Sequence, residues 1–482
     1  MQDLRPVGFV VGLIVAVLGL TMLAPLLLDL VAGNGNADAF AKSAFICLLV
    51  GGLVAIASQN GTGRAISVRA AFLLTLGIWV FVPLFGSLPF QIGAPGLSLT
   101  DAYFEAVSGI TTTGSRVILG LDTMPAGMNL WRGMLNWLGG LGIAFIAMIF
   151  LPVMRVGGMQ FFRTEGFDTL GKVLPRATDI ARNLMLVYVL LTVACMTTYA
   201  ALGMSPLDAV VNAMATIATG GFSPSDASFN KYRGAAEYAG ALFMILGSLP
   251  YIRYAQILSG SARPLLLDPQ VRAYLRWIAI AVGAVTLWHV VLNDAEFEPT
   301  LREALFNLAS IFSGTGFFSG TFAAWGGFAL IVALIVGFIG GCSASSSGAL
   351  TVFRVQIALR AIAAQIRLIH SPHRISDIRY DGRRVDDEVM NQVVMYVYSY
   401  IFTVGVMCVL VTLTGVDLVS ALFAVWTSIG NIGYGIGPMV APTGTFIEFP
   451  TAAKWLLIIT MLMGRIALLA FLVIVLPRFW RA

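Results

Sequence analysis

The sequence predicts an all-α polytopic membrane protein with about ten transmembrane helices and four short re-entrant helices in a pseudo-fourfold repeat. Of its 482 residues, 58% are hydrophobic and only 11% are charged, which leaves too little polar surface to cover a soluble globule. Apolar runs long enough to cross roughly 30 Å of hydrocarbon recur along the whole chain. Four of the segments between these runs share one short sequence pattern, which indicates an internal repeat.

Ten apolar runs with little internal charge predict the transmembrane helices. They lie near residues 7–30, 39–58, 69–88, 130–152, 182–203, 236–259, 274–293, 324–343, 390–414 and 454–477. The first run has no small-residue cleavage site and is followed by another span, so we expect it to stay in the mature protein. The predicted units are a two-helix extension (1–60), repeats at 69–152, 182–259, 274–352 and 390–482, and a hydrophilic loop (353–389).

The distribution of lysine and arginine predicts the orientation in the membrane. The loops on the side of the two termini hold 21 of the 29 basic residues, the opposite loops hold 7, and Arg465 lies inside a span. We therefore expect an inner-membrane protein with both termini in the cytoplasm. This asymmetry also explains the net charge of +5, so no nucleic-acid partner is expected. The loop at 353–389 is then cytoplasmic, and is either a docking surface or a basic loop that sets topology and contacts lipid headgroups.

Cysteines and histidines give no sign of a metal centre or of a disulfide framework. Cys47, Cys195, Cys342 and Cys408 all lie in apolar stretches without paired spacing, and His289, His370 and His373 are scattered. We interpret the cysteines as packing residues.

The repeat becomes visible when the four outward-facing segments are aligned on one glycine each, namely Gly114, Gly221, Gly316 and Gly433. Thirteen residues earlier stand Asp101, Asp208, Glu303 and Ser420, each followed by alanine. Apolar residues recur ten and four positions before the glycines. Each segment has about ten helix-compatible residues, too few to span a bilayer, and opens with a residue type that caps helices. We therefore predict four re-entrant helices, each followed by a glycine-containing strand.

These strands are polar, reading TTTGS at 111–115, ATGGF at 218–222, SGTGF at 313–317 and NIGYG at 431–435. Non-helical backbone at membrane depth persists only where it is buried in protein or lines water, so four such loops need a shared aqueous axis. Carbonyl oxygens that converge on one point can replace the water around a cation, and glycine permits the required backbone angles. The repeat thus predicts a cation-conducting pore. A lone Thr-Gly would instead indicate close helix packing.

At these residues the chain resembles the Trk/Ktr/HKT superfamily of potassium transporters, in particular its Trk-type membrane subunits (TrkH and TrkG), over nearly its whole length. The resemblance implies four helix–pore helix–helix repeats, two further N-terminal helices, and one filter glycine per repeat. It also implies that K⁺ is the transported ion, without an organic cofactor. The implied filter residues are Thr112, Thr113, Gly114, Thr219, Gly220, Gly221, Gly314, Thr315, Gly316, Asn431, Ile432 and Gly433.

The resemblance further implies an intramembrane loop in the third repeat that acts as a gate below the filter. The matching residues are Gly340, Gly341, Cys342, Ser343, Ser345, Ser346, Ser347 and Gly348, together with Arg465. A small, polar segment that interrupts a span supports this independently, and a merely kinked helix is the alternative. The sequence departs from the family pattern at four positions, which leaves the behaviour of the gate open. These are Ala344 and Ala349, where glycine is usual, Thr351, where a lysine often follows, and Ala467, in place of a glutamate.

Arg465 is expected to face the cavity, because an ionisable side chain within a span is costly unless it contacts protein or water. An arginine that snorkels to the nearer interface is the alternative.

The predicted function is potassium uptake and not an enzymatic activity. The resemblance implies a homodimer that is controlled by a cytosolic nucleotide-binding ring of the TrkA type. The chain has no glycine-rich phosphate loop on a strand–helix unit, so nucleotide binding would come from that partner. One alternative is a K⁺ symporter coupled to H⁺ or Na⁺, which would need an intramembrane carboxylate relay. Others are a less selective K⁺/Na⁺ pathway, and an intramembrane enzyme with clustered catalytic acids or histidines.

Overall fold

The computed structural model describes residues 4–61, 67–149, 177–258, 260–371, 378–466 and 468–481. Its helices are α1 (Arg5–Thr21), α2 (Leu23–Ala32), α3 (Ala37–Ser58), α4 (Val68–Gly86), α5 (Leu88–Ile92), α6 (Leu99–Ile110), α7 (Ala126–Ile149), α8 (Ala177–Ala201), α9 (Pro206–Ile217), α10 (Ala235–Gly247), α11 (Tyr251–Leu258), α12 (Arg263–Leu267), α13 (Pro269–Asn293), α14 (Phe297–Ser313), α15 (Gly327–Ile339), α16 (Val352–His370), α17 (Asp387–Thr412), α18 (Leu418–Gly430), α19 (Thr451–Arg465), α20 (Leu468–Val475) and α21 (Pro477–Arg481). Strands β1 (Arg379–Tyr380) and β2 (Arg383–Arg384) form an antiparallel hairpin between α16 and α17.

The fold is all-α and polytopic, as predicted. By length and composition, six stretches of the described chain can cross a membrane, or eight when two bent helix pairs each count as one span. One bent pair is α10 and α11, whose axes differ by 89°. The predicted span at 130–152 coincides with α7 and runs beyond the described residues. The predicted span at 324–343 is shorter than expected, because α15 has only 13 residues and the chain leaves the helix at Gly340.

The four repeats close into a cycle around a common axis. Along this cycle, α7 of the first repeat packs on α9 of the second, and α10 packs on α14 of the third. Then α15 packs on α18 of the fourth repeat, and α19 returns to α6 of the first. One apolar core joins the N-terminal helices to the first and fourth repeats, and another joins the second and third. The re-entrant helices α6, α9, α14 and α18 are therefore surrounded by the longer helices.

The N-terminal extension is anchored to the first repeat by the buried carboxylate of Asp29 in α2. Its Oδ1 accepts the N–H of Gly127, at the start of α7, at 2.7 Å. The amides of Asn34 and Asn36 donate to the same carboxylate at 2.7 Å and 3.0 Å. A carboxylate is favourable at a helix N-terminus, where the backbone N–H groups lack partners. A Cβ on residue 127 would lie 2.5 Å from Asp29 Oδ2, so glycine is needed for this close approach.

Candidate ion pathway

All four re-entrant helices end in the same hydrogen-bonded turn. The residue two positions before each aligned glycine has left-handed backbone, with φ between 50° and 78°; these residues are Thr112, Thr219, Gly314 and Asn431. The following N–H donates back into the last helical turn, as Thr113 does to the carbonyl of Ser108 at 2.8 Å. The equivalent bonds in the other three units measure 2.8, 2.8 and 2.9 Å. This is a Schellman motif, which turns the chain away from the helix axis while it satisfies the terminal carbonyls.

The aligned glycines, here named the ring glycines, form a closed cycle. They are Gly114, Gly221, Gly316 and Gly433, with φ of 83°, 72°, 81° and 80°. A Cβ placed on each would collide with the carbonyl oxygen just before the next repeat's ring glycine. The distances are 2.5 Å to Gly220, 1.9 Å to Thr315, 1.8 Å to Ile432 and 2.1 Å to Thr113. Glycine is required here both by the left-handed backbone and by the close approach of neighbouring chains.

An asparagine side chain bridges each of the four seams between successive repeats. Asn136 donates to Gly109 O at 2.9 Å and accepts the N–H of Phe222 at 3.0 Å, joining the first repeat to the second. The remaining seams use Asn230 to Gly320 N, Asn307 to the hydroxyl of Tyr434, and Asn431 to the hydroxyl of Thr113. These bonds fix the loops relative to one another, and the three buried amides, those of Asn136, Asn307 and Asn431, are costly to leave unpaired.

The starts of the re-entrant helices differ from the sequence-based prediction. Three of them are capped three residues earlier than expected, by Ser98, Ser205 and Asp417. In the third repeat the helix begins at Phe297, and Glu303 lies inside it. The predicted cap residues occupy the third helical position in the other repeats, where their N–H groups donate to the cap side chains, and Asp101 also accepts the hydroxyl of Ser98.

The acidic side chains of these segments are occupied by partners within the protein. Asp101 accepts from Lys454 at 2.6 Å, and Asp208 lies 3.2 Å from the ammonium of Lys231. Glu303 accepts the N–H and hydroxyl of Thr321. They therefore brace neighbouring segments.

A cavity of about 460 Å³, here named the vestibule, opens above the ring glycines. Glycines, serines, and aromatic and aliphatic side chains of the four repeats line it. Two arginines, Arg116 and Arg132, also line it, and no carboxylate does so among the described residues. Arg132 pairs with Glu105 at 2.8 Å, and both side chains are fully buried. Arg116 pairs with Asp226 at 3.2 Å.

These two ion pairs hold the chain that follows the first two ring glycines. Glu105 also accepts the N–H of Val117 at 2.8 Å, and Arg132 donates to Ser223 O at 2.9 Å. The Arg132 guanidinium lies 4.2 Å from the centre of the Phe222 ring. Burial is the largest influence on Arg116 and lowers the pKa of its guanidinium, an effect that the Asp226 carboxylate opposes.

The segment from Gly340 to Thr351, here named the intramembrane loop, is irregular and lies beneath the ring. A Cβ on Gly348 would lie 2.4 Å from Gly430 O, and one on Gly314 would lie 3.6 Å from Gly348 N. The loop contains all eight loop residues that the resemblance implied as gate residues, and most of its side chains are buried. Irregular backbone is tolerated at membrane depth only in such protein-lined surroundings.

A break in the second repeat holds this loop in place, and the sequence-based prediction of one span at 236–259 missed it. Ser248 O accepts the N–H of Cys342 at 3.0 Å, and Tyr251 N donates to Ala344 O at 3.0 Å. The Tyr251 hydroxyl lies 2.8 Å from Ser346 Oγ. The sequence signal for the break is the Gly-Ser-Leu-Pro stretch at 247–250, because proline cannot continue a helix.

Three positions that depart from the family pattern have left-handed backbone. Ala344, Ala349 and Thr351 have φ of 60°, 63° and 74°. Such angles are strained for residues with a Cβ, above all for a β-branched one. Thr351 is partly compensated by a 2.8 Å hydrogen bond between its hydroxyl and that of Ser343. The fourth departure, Ala467, lies outside the described residues.

Arg465, the last residue of α19, reaches the intramembrane loop. Its Nη2 donates to Ser346 O at 3.0 Å, and Nη1 lies 3.3 Å from a Cβ built on Gly348. Its Nε has no hydrogen-bond partner among the described residues. The side chain therefore points into the protein beneath the ring and does not snorkel to an interface.

The hairpin of β1 and β2, which belongs to the hydrophilic loop at 353–389, packs on α16. Tyr380 is buried, its ring contacts that of Phe353 at 5.0 Å between centroids, and its hydroxyl donates to Gln356 at 2.9 Å. Since α16 directly follows the intramembrane loop, the hairpin is physically connected to it.

Four quasi-equivalent helix–loop units that close on one axis, within a polytopic helical protein, define an ion-transporting membrane protein and not an enzyme. A family model for TrkH, described as a cation transport protein, matches residues 36–481, and the chain belongs to this family.

Relatives that match over the full length of the chain support this family assignment. The Trk system potassium uptake protein TrkI of Halomonas elongata is 38% identical over 478 residues, 99% of this chain and 97% of that protein. The Trk system potassium uptake protein TrkH of Escherichia coli K12 is 33% identical over 487 residues, 99% of each. The crystal structure of the potassium transporter TrkH from Vibrio parahaemolyticus matches with a TM-score of 0.91, 31% identity and full coverage of both chains.

Proposed function

We propose that this protein takes up K⁺ across the bacterial inner membrane through the ring glycines, in a channel-like manner. The observation that carries the proposal is the closed cycle in which each ring glycine abuts a carbonyl of the next repeat. Carbonyls held around one axis can replace the hydration shell of K⁺. The chain belongs to a family of cation transport proteins, and the relatives named above are potassium uptake proteins or potassium transporters.

The proposed ion ligands are backbone carbonyls of the residues that precede the ring glycines. They are Thr112, Thr113, Thr219, Gly220, Gly314, Thr315, Asn431 and Ile432. Four re-entrant helices direct their C-terminal ends, the negative ends of their dipoles, toward this ring. The arrangement favours a cation at one main site, because each repeat contributes a single glycine turn.

The proposed orientation places both termini in the cytoplasm and the vestibule on the outer side. It rests on the excess of lysine and arginine in the loops on the side of the termini. Loops rich in these residues stay on the cytoplasmic side of the membrane. Inward movement of K⁺ then follows the membrane potential, worth about 2.3 kcal/mol per charge at 100 mV.

The proposed gate is the intramembrane loop together with Arg465, which lie directly beneath the ring. The Arg465–Ser346 bond and the Tyr251–Ser346 contact would have to break or rearrange for the loop to move aside. The resemblance supports a homodimer and a nucleotide-binding ring of the TrkA type as regulator. The hairpin packed on α16 is a contact point through which this regulatory protein can act on the intramembrane loop.

Ion flux into proteoliposomes tests this function. We expect the native chain, alone or with its regulatory ring, to pass K⁺ and Rb⁺ well above Na⁺, and Gly316→Ser to abolish or blur that preference. The matched control is Gly203→Ser, because Gly203 is also left-handed, with φ of 95°, but has no neighbour within 4 Å. Flux that is absent even with the regulator, or unaffected by Gly316→Ser, would contradict the proposal.

A K⁺ symporter coupled to H⁺ or Na⁺ is the alternative, and the same proteoliposomes can distinguish it from a channel-like pathway. The buried carboxylates Asp29 and Glu105 are each bound to amide or guanidinium donors, so neither is free to carry protons in a relay. A channel-like pathway predicts that K⁺ current reverses at the K⁺ equilibrium potential at every pH and Na⁺ gradient. A reversal potential that follows either gradient would favour the symporter.

A further inference from the structure

The walls of the vestibule are unusual for a pathway that admits cations. Among the residues that the structure describes, the charged side chains in its lining are two arginines, and the carboxylates that neutralise them lie outside it. Arg132 is neutralised by Glu105 in a pair without solvent access. Arg116 stands two residues after the ring glycine Gly114, and its partner Asp226 is partly exposed, with 37% of the side chain accessible against 11% for Arg116.

Arg116 holds three repeats together at the mouth of the vestibule. Its Nη1 and Nη2 donate to Asp226 Oδ1 and to the Asp226 backbone carbonyl at 3.2 Å and 2.8 Å. Its Nε reaches Gly444 O at 3.4 Å, and its own carbonyl accepts the N–H of Phe446 at 2.8 Å. Asp226 in turn accepts the N–H of Leu121 at 3.0 Å. The guanidinium is therefore fixed in the wall of the vestibule.

We propose that Arg116 is a charge barrier that determines which cations enter the vestibule, and that Asp226 tunes this barrier by partial neutralisation. This inference rests on the proposed function, since it assumes that cations cross the vestibule. The interaction between a fixed charge and an ion scales with the valence of the ion. The barrier therefore acts twice as strongly, in free energy, on a divalent cation as on K⁺, so it discriminates by charge while the ring discriminates by size. Other charged groups near Arg116 are Arg132, Glu105 and Asp122, and they stay unchanged in the tests below.

The test measures initial Rb⁺ uptake and Ba²⁺ block in proteoliposomes that contain the full chain. Asp226→Asn leaves Arg116 without its carboxylate, and we expect Rb⁺ influx at low ionic strength to fall about three- to tenfold. Arg116→Gln leaves the carboxylate of Asp226 alone, and influx should rise. For each variant the fold-change in Ba²⁺ affinity should be about the square of the fold-change in Rb⁺ influx. Both effects should shrink between about 0.01 M and 1 M salt, since the screening length falls from roughly 30 Å to roughly 3 Å.

The double variant Arg116→Gln/Asp226→Asn separates charge from structure. If charge governs influx, the double variant returns toward the native rate at low salt, because the net charge of the pair is again zero. The exposed ion pair of Lys42 and Asp38 in α3 supplies the matched control, and Lys42→Gln and Asp38→Asn should leave influx and block unchanged.

The inference is overturned if both single variants lower influx and the double variant does not recover, since Arg116 is then only a structural tether. It is equally overturned if the changes are the same at both salt concentrations, or the same for both valences. Failure of the proposed function looks different, because the native chain itself would then show no selective flux.

Discussion

The buried pair of Glu105 and Arg132 allows a quantitative prediction, because both side chains are fully inaccessible to solvent. The perturbation is Arg132→Met, which keeps an apolar stem of similar length and removes the charge. It deletes the 2.8 Å bond to Glu105, the 2.9 Å bond to Ser223 O and the contact with the Phe222 ring. It also leaves the Glu105 carboxylate in the interior with one remaining donor in the described chain, the N–H of Val117.

The expected loss is about 3–5 kcal/mol, because removal of one partner leaves an uncompensated buried charge. This corresponds to roughly two to four orders of magnitude in the unfolding equilibrium. The double variant Glu105→Gln/Arg132→Met removes that charge and keeps an acceptor for Val117. What remains lost is about one or two neutral hydrogen bonds, each worth roughly 1 kcal/mol. The double variant should therefore be more stable than Arg132→Met alone.

Thermal unfolding in detergent compares the stability of the purified native chain, the double variant and Arg132→Met. We expect the native chain to be most stable, the double variant to lie between, and Arg132→Met to unfold at the lowest temperature. Lys42→Met, which breaks an exposed ion pair, controls for loss of a positive charge and should change little. If the double variant is as unstable as Arg132→Met, or less stable, burial of an unpaired charge is not the cause and the reasoning is refuted.

Three further variants have defined outcomes. Asn136→Ala orphans the buried N–H of Phe222, so we expect a loss of about 1–3 kcal/mol in thermal unfolding and a lower Rb⁺-to-Na⁺ flux ratio; an unchanged ratio would contradict the role of the seam. Left-handed backbone at an alanine costs about 1–2 kcal/mol, so Ala349→Gly should raise the unfolding temperature slightly and Ala349→Val should lower it. The reverse order would show that backbone strain at residue 349 is not the cause. Asp29→Asn weakens the anchor of α2 on Gly127 by about 1–3 kcal/mol, and should make the connection between α2 and α3 easier to cleave in limited proteolysis, with Asp38→Asn as the unaffected control.

The ring glycines could be found from the sequence because all four sit at one register position with the same backbone demand. A left-handed backbone angle with no room for a Cβ can be adopted only by glycine. Glycine therefore recurs at this position in all four repeats. The preceding left-handed residues gave no such signal. Thr112 and Thr219 adopt φ of 51°, although threonine rarely does so, because the hydrogen bonds of the Schellman turn impose that angle.

The helix starts and the broken span could not be read correctly, for two different reasons. An acid at the third helical position resembles a cap in sequence, so the pattern predicts Asp101 as the cap of a helix that Ser98 caps. The span at 236–259 is apolar enough on average to pass as one transmembrane helix, and Pro250 signals a break without giving the size of the bend. The bend is stabilised by bonds from Ser248 and Tyr251 to the intramembrane loop, about 90 residues away in sequence, and only the assembled fold brings these segments together.

A missing side chain in one of the four turns explains how the intramembrane loop can lie beneath the ring. Three repeats place a side chain two positions before the ring glycine, whereas the third repeat places Gly314 there. A Cβ on Gly314 would lie 3.3 Å from Asn431 O and 3.6 Å from Gly348 N, so the larger side chain of a threonine would extend into the loop. Gly348 is restricted by the fourth repeat, since its Cβ would lie 2.4 Å from Gly430 O. The ring and the intramembrane loop therefore approach closely at Gly314 and Gly348. The repeat that carries the loop is also the repeat whose turn has no side chain at this position.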